Sequence, residues 1–281
     1  MLLKLFFMSL VITSMANVSC NNSQNNGNEN SLDSTQKSSF ADVKEDAVSY
    51  EIDGKKYDGY VCYIENQQGK RPGVLVVHEW WGLNDYSRRR AKQLAELGYI
   101  AMAVDMFGNG QTAEDPASAQ TLATPFYKDP ALAKKRLDPA ISVLKSYPQT
   151  DTAKMAAIGY CFGGYVVLNA AKLGSDLKGV VSFHGGLTGA KPEENMKTKF
   201  LICHGGDDQF ENPHVQEFKK EMDSVKADYI FKVYPNASHA FSNPNATGKG
   251  EKYNMPIKYN SAADSASWND MKDFLKELFK E

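Results

Sequence analysis

Short apolar runs alternate with amphipathic segments along most of the chain. Continuous apolar runs of about five residues are typical of strands covered on both faces. We predict such strands at residues 73–77, 99–104, 155–159, 179–183, 200–203 and 229–234. Helical patterns lie between and after them, at residues 85–97, 131–147, 162–173, 214–225 and 262–279. This alternation predicts an α/β fold with a mainly parallel central sheet and helices on both faces.

Two further features complete the predicted domain. A β-hairpin is indicated around Asp53-Gly54, with strands predicted at residues 48–53 and 56–64. Residues 108–130 are polar and broken, and we expect a loop or short helices there, near the site. With no internal repeat and no later linker, residues 41–281 are predicted to form one domain.

The first residues have the pattern of a targeting segment. Lys4 precedes a short apolar run, and small residues follow it, so residues 1–19 are interpreted as a signal segment too short to span a bilayer. One possible cleavage site follows Ala16. The alternative is a bacterial lipoprotein box that ends at Cys20, which would carry the lipid.

A polar tract follows Cys20. It is rich in Asn, Ser and Gln and cannot bury a core, so residues 20–40 are predicted to be a disordered tether. This tract favours the lipoprotein interpretation over a plain exported protein with a disordered start. We therefore expect an exported protein, periplasmic or anchored to the membrane through Cys20.

Composition and charge exclude several classes of function. Hydrophobic residues make up 42% of the chain, charged residues make up 23%, and the net charge is −2. Basic residues are not clustered, so no nucleic-acid partner is expected. The spacing of the four cysteines and five histidines matches neither a zinc nor a redox motif, and we predict no metal and no cofactor. Cys62 and Cys203 lie inside apolar strands and are predicted to be buried.

Cys161 stands in a different context. Residues 159–163 read Gly-Tyr-Cys-Phe-Gly between a predicted strand and a helix, which is the nucleophile-elbow pattern with cysteine in place of serine. The positive end of the helix favours a thiolate. It also leaves the Phe162 N–H free to donate to an oxyanion. The alternative is a structural glycine-rich turn with an incidental cysteine.

A cysteine nucleophile needs a base and an orienting acid, which follow it in the order acid, then histidine on this fold. His239 lies in a small-residue loop after the strand at 229–234 and is the predicted base. Asp207 and Asp208 follow the strand at 200–203, and either could be the acid. The remaining histidines are interpreted as structural or as part of the pocket wall.

The loop after the first buried strand reads His-Glu-Trp-Trp-Gly-Leu-Asn at residues 78–84. This loop supplies a second oxyanion donor in such folds, and the N–H of Trp80 is the candidate. Glu79 could hydrogen-bond the thiol, or it could form a surface ion pair with an arginine among residues 88–90. The tryptophans are also consistent with packing in a pocket wall.

Three blocks together resemble the dienelactone hydrolase family of carboxymethylenebutenolidase-like proteins: residues 77–84, the Gly-Tyr-Cys-Phe-Gly-Gly run at 159–164, and Gly-Gly-Asp-Asp at 205–208 with Ser-His-Ala-Phe at 238–241. The resemblance spans about residues 45 to 280. It implies a Cys161–His239–Asp208 triad that cleaves esters or lactones, and a Glu79 that holds the resting thiol.

The chain departs from the family in its arginines. Dienelactone hydrolases grip the substrate carboxylate with arginines, one of them shortly after the catalytic histidine. Here that stretch reads Phe-Ser-Asn-Pro at 241–244, and no arginine follows Arg136. The departure leaves the ester-cleaving residues in place, so the expected partner is still a small-molecule ester or lactone. The protein is expected to be a monomer. The alternatives are a peptidase or thioesterase on the same scaffold, or a lipoprotein that binds a ligand without turning it over.

Overall fold

The computed structural model describes residues 42–280. They contain an eight-stranded sheet with the order β1-β2-β4-β3-β5-β6-β7-β8, in which β1 and β2 are antiparallel additions to an otherwise parallel sheet. The strands are β1 Val43–Ile52, β2 Lys55–Ile64, β3 Arg71–Val77, β4 Ile100–Val104, β5 Thr150–Tyr160, β6 Gly179–Phe183, β7 Lys199–Gly205 and β8 Tyr229–Tyr234.

Helices cover both faces of the sheet. They are α1 Asp85–Glu96, α2 Pro116–Lys128, α3 Ala131–Ser146, α4 Phe162–Lys172, α5 Val215–Ser224, α6 Ala246–Tyr253 and α7 Ser261–Leu278, with a 3-10 turn at Asn212–His214. The predicted α/β fold is confirmed, and so is the hairpin around Asp53-Gly54.

Two hydrophobic cores lie on opposite sides of the sheet, and β3 contributes to both. Leu75 and Val77 belong to the core beneath α3 and α4, whereas Val74 and Val76 belong to the core beneath α1 and α7. Alternate residues of a strand point to opposite faces, so a strand covered on both sides must be apolar throughout. This is why continuous apolar runs in the sequence predicted the central strands.

Two helices differ from the prediction. The stretch expected to be a loop or short helices contains α2, a helix of 13 residues. The side chain of Asp115 caps it by accepting the Ser118 N–H at 2.8 Å, and Pro125 interrupts its apolar pattern. The helix α6 was not predicted, because it has only eight residues and contains Gly248 and Gly250, both poor helix formers.

The targeting predictions fall on residues that the structure does not describe. The signal segment at 1–19, Cys20 and the tether at 20–40 all lie outside residues 42–280. None of the helices found between residues 42 and 280 combines the length and the apolar character needed to cross a membrane.

Candidate active site

The carboxyl ends of the parallel strands meet at one edge of the sheet, and Cys161 lies there in the sharp turn from β5 to α4. Its backbone has φ 52° and ψ −114°, a conformation that non-glycine residues rarely adopt. Gly163 is needed close by, since a Cβ at this position would lie 2.3 Å from the Val77 carbonyl oxygen. The turn thus packs directly against β3 and holds the sulfur above the sheet edge.

Hydrogen bonds connect Cys161, His239 and Asp208. The Nε2 of His239 lies 3.0 Å from the Cys161 Sγ, and its Nδ1 lies 2.8 Å from the Asp208 Oδ2. Asp208 is fully buried, and its Oδ1 accepts the backbone N–H groups of Phe210 and Glu211. The neighbouring Asp207 is exposed. Of the two aspartates left open by sequence, the structure brings Asp208 to the histidine.

The electrostatics of this chain favour a proton on His239. Burial by itself would lower the pKa of His239, but the charges of Cys161 and Asp208 raise it well above its ordinary value. For Asp208, burial would raise the pKa, but the hydrogen bonds from His239 and from the Phe210 and Glu211 N–H groups lower it. The arrangement therefore suits an imidazolium placed between a sulfur nucleophile and a carboxylate.

Two backbone N–H groups belong to residues that line the same pocket as Cys161. Phe162 is the first residue of α4, so its N–H has no acceptor within the helix. Trp80 follows the end of β3. Across the part of the chain that the structure describes, neither N–H has a hydrogen-bond acceptor. Both residues line the pocket that contains Cys161, as expected for donors to an oxyanion.

Glu79 is buried, and its Oε2 accepts a 2.6 Å hydrogen bond from Asn243 Nδ2. The thiol contacts His239 in this structure, so the resting contact between Glu79 and the thiol that the resemblance implied is not formed here. The surface ion-pair alternative is wrong. Arg88 pairs with Glu45, and Arg90 pairs with Asp264. Burial raises the pKa of Glu79.

The pocket beside Cys161 has a volume of about 500 Å³. Its aromatic lining residues are Trp80, Trp81, Tyr127, Phe162, Tyr165 and Phe210. Two carboxyl side chains, Glu79 and Glu211, line it as well, and no lysine or arginine among residues 42–280 does. Tyr127 comes from α2, in the stretch where a loop or short helices near the site were expected. Glu211 follows Asp208 by three residues. Position in the Asp208 loop was the one available signal for Glu211.

His184 lies behind the nucleophile. Its Nδ1 accepts the Cys161 N–H at 3.2 Å, which assigns the proton to Nε2, and Nε2 donates to the Ser242 Oγ at 2.7 Å. The Ser242 carbonyl in turn accepts Tyr86 Oη and Arg90 Nη2. His184 was expected near the pocket, but it supports the Cys161 turn from below. Its own φ of 41° is also strained.

His78 has a structural role. Its Nε2 accepts the Met106 N–H at 3.2 Å, and its Nδ1 donates to the Glu79 carbonyl at 2.5 Å. Across residues 42–280, no three His, Cys, Asp or Glu side chains are grouped to hold a metal ion. The chemistry available at this site is therefore that of the thiol, the imidazole, the carboxyls and the backbone donors.

Known proteins resemble this chain in sequence and in fold. The Dienelactone hydrolase family matches residues 57–279. A dienelactone hydrolase-like promiscuous phosphotriesterase from metagenomic libraries is 33% identical, with a TM-score of 0.79 over 84% of this chain and 98% of that one. Protein usf of Aquifex pyrophilus is 29% identical over 82% of this chain and 97% of its own length.

A more distant structure shares the fold alone. It is a thermophilic esterase from Thermogutta terrifontis, 14% identical, with a TM-score of 0.58 over 86% of this chain and 94% of that one. The family match covers well over half of the sequence and includes every strand from β3 to β8. The chain therefore belongs to the dienelactone hydrolase family, and it is a hydrolase of ester or lactone bonds on the α/β-hydrolase fold.

Proposed function

We propose that Cys161 is the nucleophile of a Cys161–His239–Asp208 triad that cleaves esters and lactones through an acyl-enzyme. The Cys161 thiolate attacks the carbonyl carbon, and the carbonyl electron pair moves onto its oxygen. The Phe162 and Trp80 N–H groups stabilise that oxyanion. As the tetrahedral intermediate collapses, the C–O bond to the leaving group breaks, and the His239 imidazolium donates its proton to the departing alkoxide.

Water then releases the acyl group. The neutral His239 takes a proton from water, and the hydroxide attacks the thioester carbonyl. The C–S bond breaks, the carboxylic acid leaves, and the thiolate–imidazolium pair is restored. Asp208 orients the imidazole and stabilises its charge throughout, as the acid of such a triad does.

One observation carries this proposal: a hydrogen-bonded chain runs from the Cys161 Sγ through the imidazole to a buried carboxylate. The same pocket is lined by Phe162 and Trp80, whose N–H groups have no acceptor among residues 42–280. The elements that hold these groups are the β5–α4 turn and the loops after β7, β8 and β3. These are the places where the α/β-hydrolase arrangement has its nucleophile, acid, base and second oxyanion donor.

The test is hydrolysis of p-nitrophenyl acetate and a small lactone by the Cys161→Ala variant. We expect a loss of at least about 10³-fold in kcat/KM, because the acyl-enzyme cannot form. Cys62→Ala is the matched control, since it removes a thiol buried in β2 far from the pocket, and its activity should be unchanged. Hydrolysis by Cys161→Ala at the unmutated rate would overturn the proposal.

Labelling with iodoacetamide at neutral pH gives a second readout. Burial raises the pKa values of Cys62 and Cys203 to about 12, so both should stay unmodified in the folded protein. We expect mass spectrometry to find modification at Cys161 with parallel loss of activity. A folded protein inert at Cys161 would favour a ligand-binding protein over an enzyme.

Phosphotriesters are a second candidate substrate class. The similar metagenomic protein carries the name phosphotriesterase. Attack on phosphorus also places negative charge on an oxygen, which the Phe162 and Trp80 N–H groups could stabilise. Paraoxon therefore belongs in the substrate panel, and Cys161→Ala should lose that activity together with ester cleavage.

A further inference from the structure

The charge of the pocket is opposite to what a carboxylate substrate needs. Asn243, four residues after His239, occupies the stretch where the family has an arginine, and its amide binds Glu79. Besides the catalytic His239, a lysine interacts electrostatically with Glu79: Lys249 of α6, whose ammonium lies 3.4 Å from the centroid of the Trp81 ring. Lys249 does not line the pocket.

Glu211 is the second carboxyl group that lines the pocket. Its Oε2 accepts the Leu187 N–H at 2.9 Å, and its backbone N–H donates to Asp208, so the side chain is held in place at the pocket wall. Within residues 42–280, no lysine, arginine or histidine forms an ion pair with it, and its Oε1 has no hydrogen-bond partner. Glu211 is half-buried, and its Oε1 is not among the buried polar atoms without a partner, so it stays accessible from the pocket to a group that arrives with the ligand.

The walls around Glu211 suit a cation. Tyr127 and Phe210 line the pocket beside it, and Trp80, Trp81 and Tyr165 complete an aromatic enclosure. Aromatic faces attract ammonium groups, most strongly where water is excluded. An aromatic enclosure with one fixed carboxylate is a common way to bind a substituted ammonium ion.

We propose that Glu211 determines specificity by binding a positively charged ammonium group on the ester substrate, with the aromatic walls packed around that group. The inference rests on the proposed function, since the ammonium must belong to an ester that Cys161 attacks. It assigns the substrate class as cationic esters, and it predicts discrimination against esters that carry a carboxylate.

The experiment compares ester pairs that differ only in charge. One pair is the p-nitrophenyl ester of 4-(trimethylammonio)butanoate and that of 5,5-dimethylhexanoate, which has carbon in place of nitrogen. The second pair is butyrylthiocholine and S-(3,3-dimethylbutyl) thiobutyrate, which places the charge on the leaving group. Wild type, Glu211→Gln and Asp207→Asn are compared by kcat/KM. Asp207→Asn is the matched control, because it removes a nearby charge from an exposed side chain outside the pocket.

In Glu211→Gln we expect about a tenfold or larger fall in kcat/KM for the cationic member of at least one pair, because the quaternary ammonium loses its electrostatic attraction to a carboxylate at short range. Its neutral isostere should change less than about twofold, and Asp207→Asn should change neither. The inference would be overturned if, for both pairs, the ratio of kcat/KM for the cationic ester to kcat/KM for its neutral isostere were the same in the wild type and in Glu211→Gln. A wild type that hydrolyses no ester in a Cys161-dependent way would instead overturn the proposed function.

The pH dependence gives an independent readout. Burial raises the pKa of Glu211, while His239 and His214 lower it and Asp208 raises it further. The wild-type preference for the cationic ester should therefore grow as pH rises through the pKa of Glu211. Glu79 lines the same pocket and also has a raised pKa, so the preference in Glu211→Gln should rise less with pH than in the wild type. A rise equal to that of the wild type would contradict the assignment.

Discussion

At the scale of single residues, His184 shows how the strained nucleophile turn is supported. The Cys161 N–H lies at the turn and donates to His184 Nδ1 as well as to the Phe183 carbonyl. Without His184 the Phe183 carbonyl remains as an acceptor, so the cost is that of one hydrogen bond, about 0.5–1.5 kcal/mol. That cost would fall on the residue whose sulfur must be held in place, so His184 is a positioning residue.

Three substitutions separate the two hydrogen bonds of His184. His184→Asn keeps an acceptor near the position of Nδ1, His184→Gln keeps a donor near the position of Nε2, and His184→Leu keeps neither. We expect His184→Leu to lower kcat/KM and the alkylation rate of Cys161 by about tenfold, and His184→Asn to restore most of both. Equal impairment of the Asn and Leu variants would show that the bond to Cys161 does not matter.

His184 also predicts a pH dependence of stability. Burial and the neighbouring charges of His239 and Arg90 hold the pKa of His184 well below its ordinary value. The unfolded chain binds this proton near pH 6.5, so the contribution of neutral His184 is fully present above that pH and is lost as the pH falls below it. Urea titrations between pH 7.5 and 5 should show a slope in the free energy of unfolding that His184→Asn reduces by up to about 1.4 kcal/mol per pH unit.

At the scale of elements, the β5–α4 turn depends on close backbone contact. A Cβ at Gly163 would lie 2.3 Å from the Val77 carbonyl oxygen, so Gly163→Ala must move α4 away from β3. We expect a loss of about 1–3 kcal/mol of unfolding free energy and a larger loss of activity, because the Phe162 N–H and Cys161 move together.

Gly248→Ala is the matched control for that substitution. Gly248 is exposed in α6, and a Cβ there meets nothing within 4 Å. Alanine is the better helix former, so this variant should be stabilised by up to about 1 kcal/mol. Thermal unfolding and ester hydrolysis of both variants check the pair. A Gly163→Ala protein with normal stability and activity would contradict the close-packing argument.

At the scale of the whole molecule, the predicted signal segment and Cys20 bear on where the domain works. We propose that the protein is exported and that Cys20 carries the lipid that attaches it to a membrane. In a bacterial host that processes lipoproteins, the wild type should be found in the membrane fraction and Cys20→Ala in the soluble fraction. Cys62→Ala should behave as the wild type. Cleavage after Ala16 in the mature wild-type protein, found by mass spectrometry, would refute the lipid anchor.

The sequence by itself determined the fold class, because β3 and its neighbours are apolar on both faces and strands of that kind are legible without a structure. It also predicted the Cys161 turn, since a strand, a Gly-x-Cys-x-Gly run and a helix are contiguous. It did not predict α2 as one continuous helix, and it did not predict α6. Pro125 in α2 and the glycines in α6 weaken the helical pattern, and capping and packing stabilise these helices.

The tertiary structure decided which residues contact one another, because their spacing along the chain does not determine those contacts. Adjacent aspartates look alike in sequence, and only the loop geometry makes Asp208 the buried partner of His239 while Asp207 faces solvent. The pairing of Glu79 with Asn243, the support of Cys161 by His184 and the position of Glu211 in an aromatic pocket join residues far apart in the chain. The charge of the pocket, and with it the proposed substrate class, follows from that three-dimensional placement because electrostatic interactions depend on distance in space.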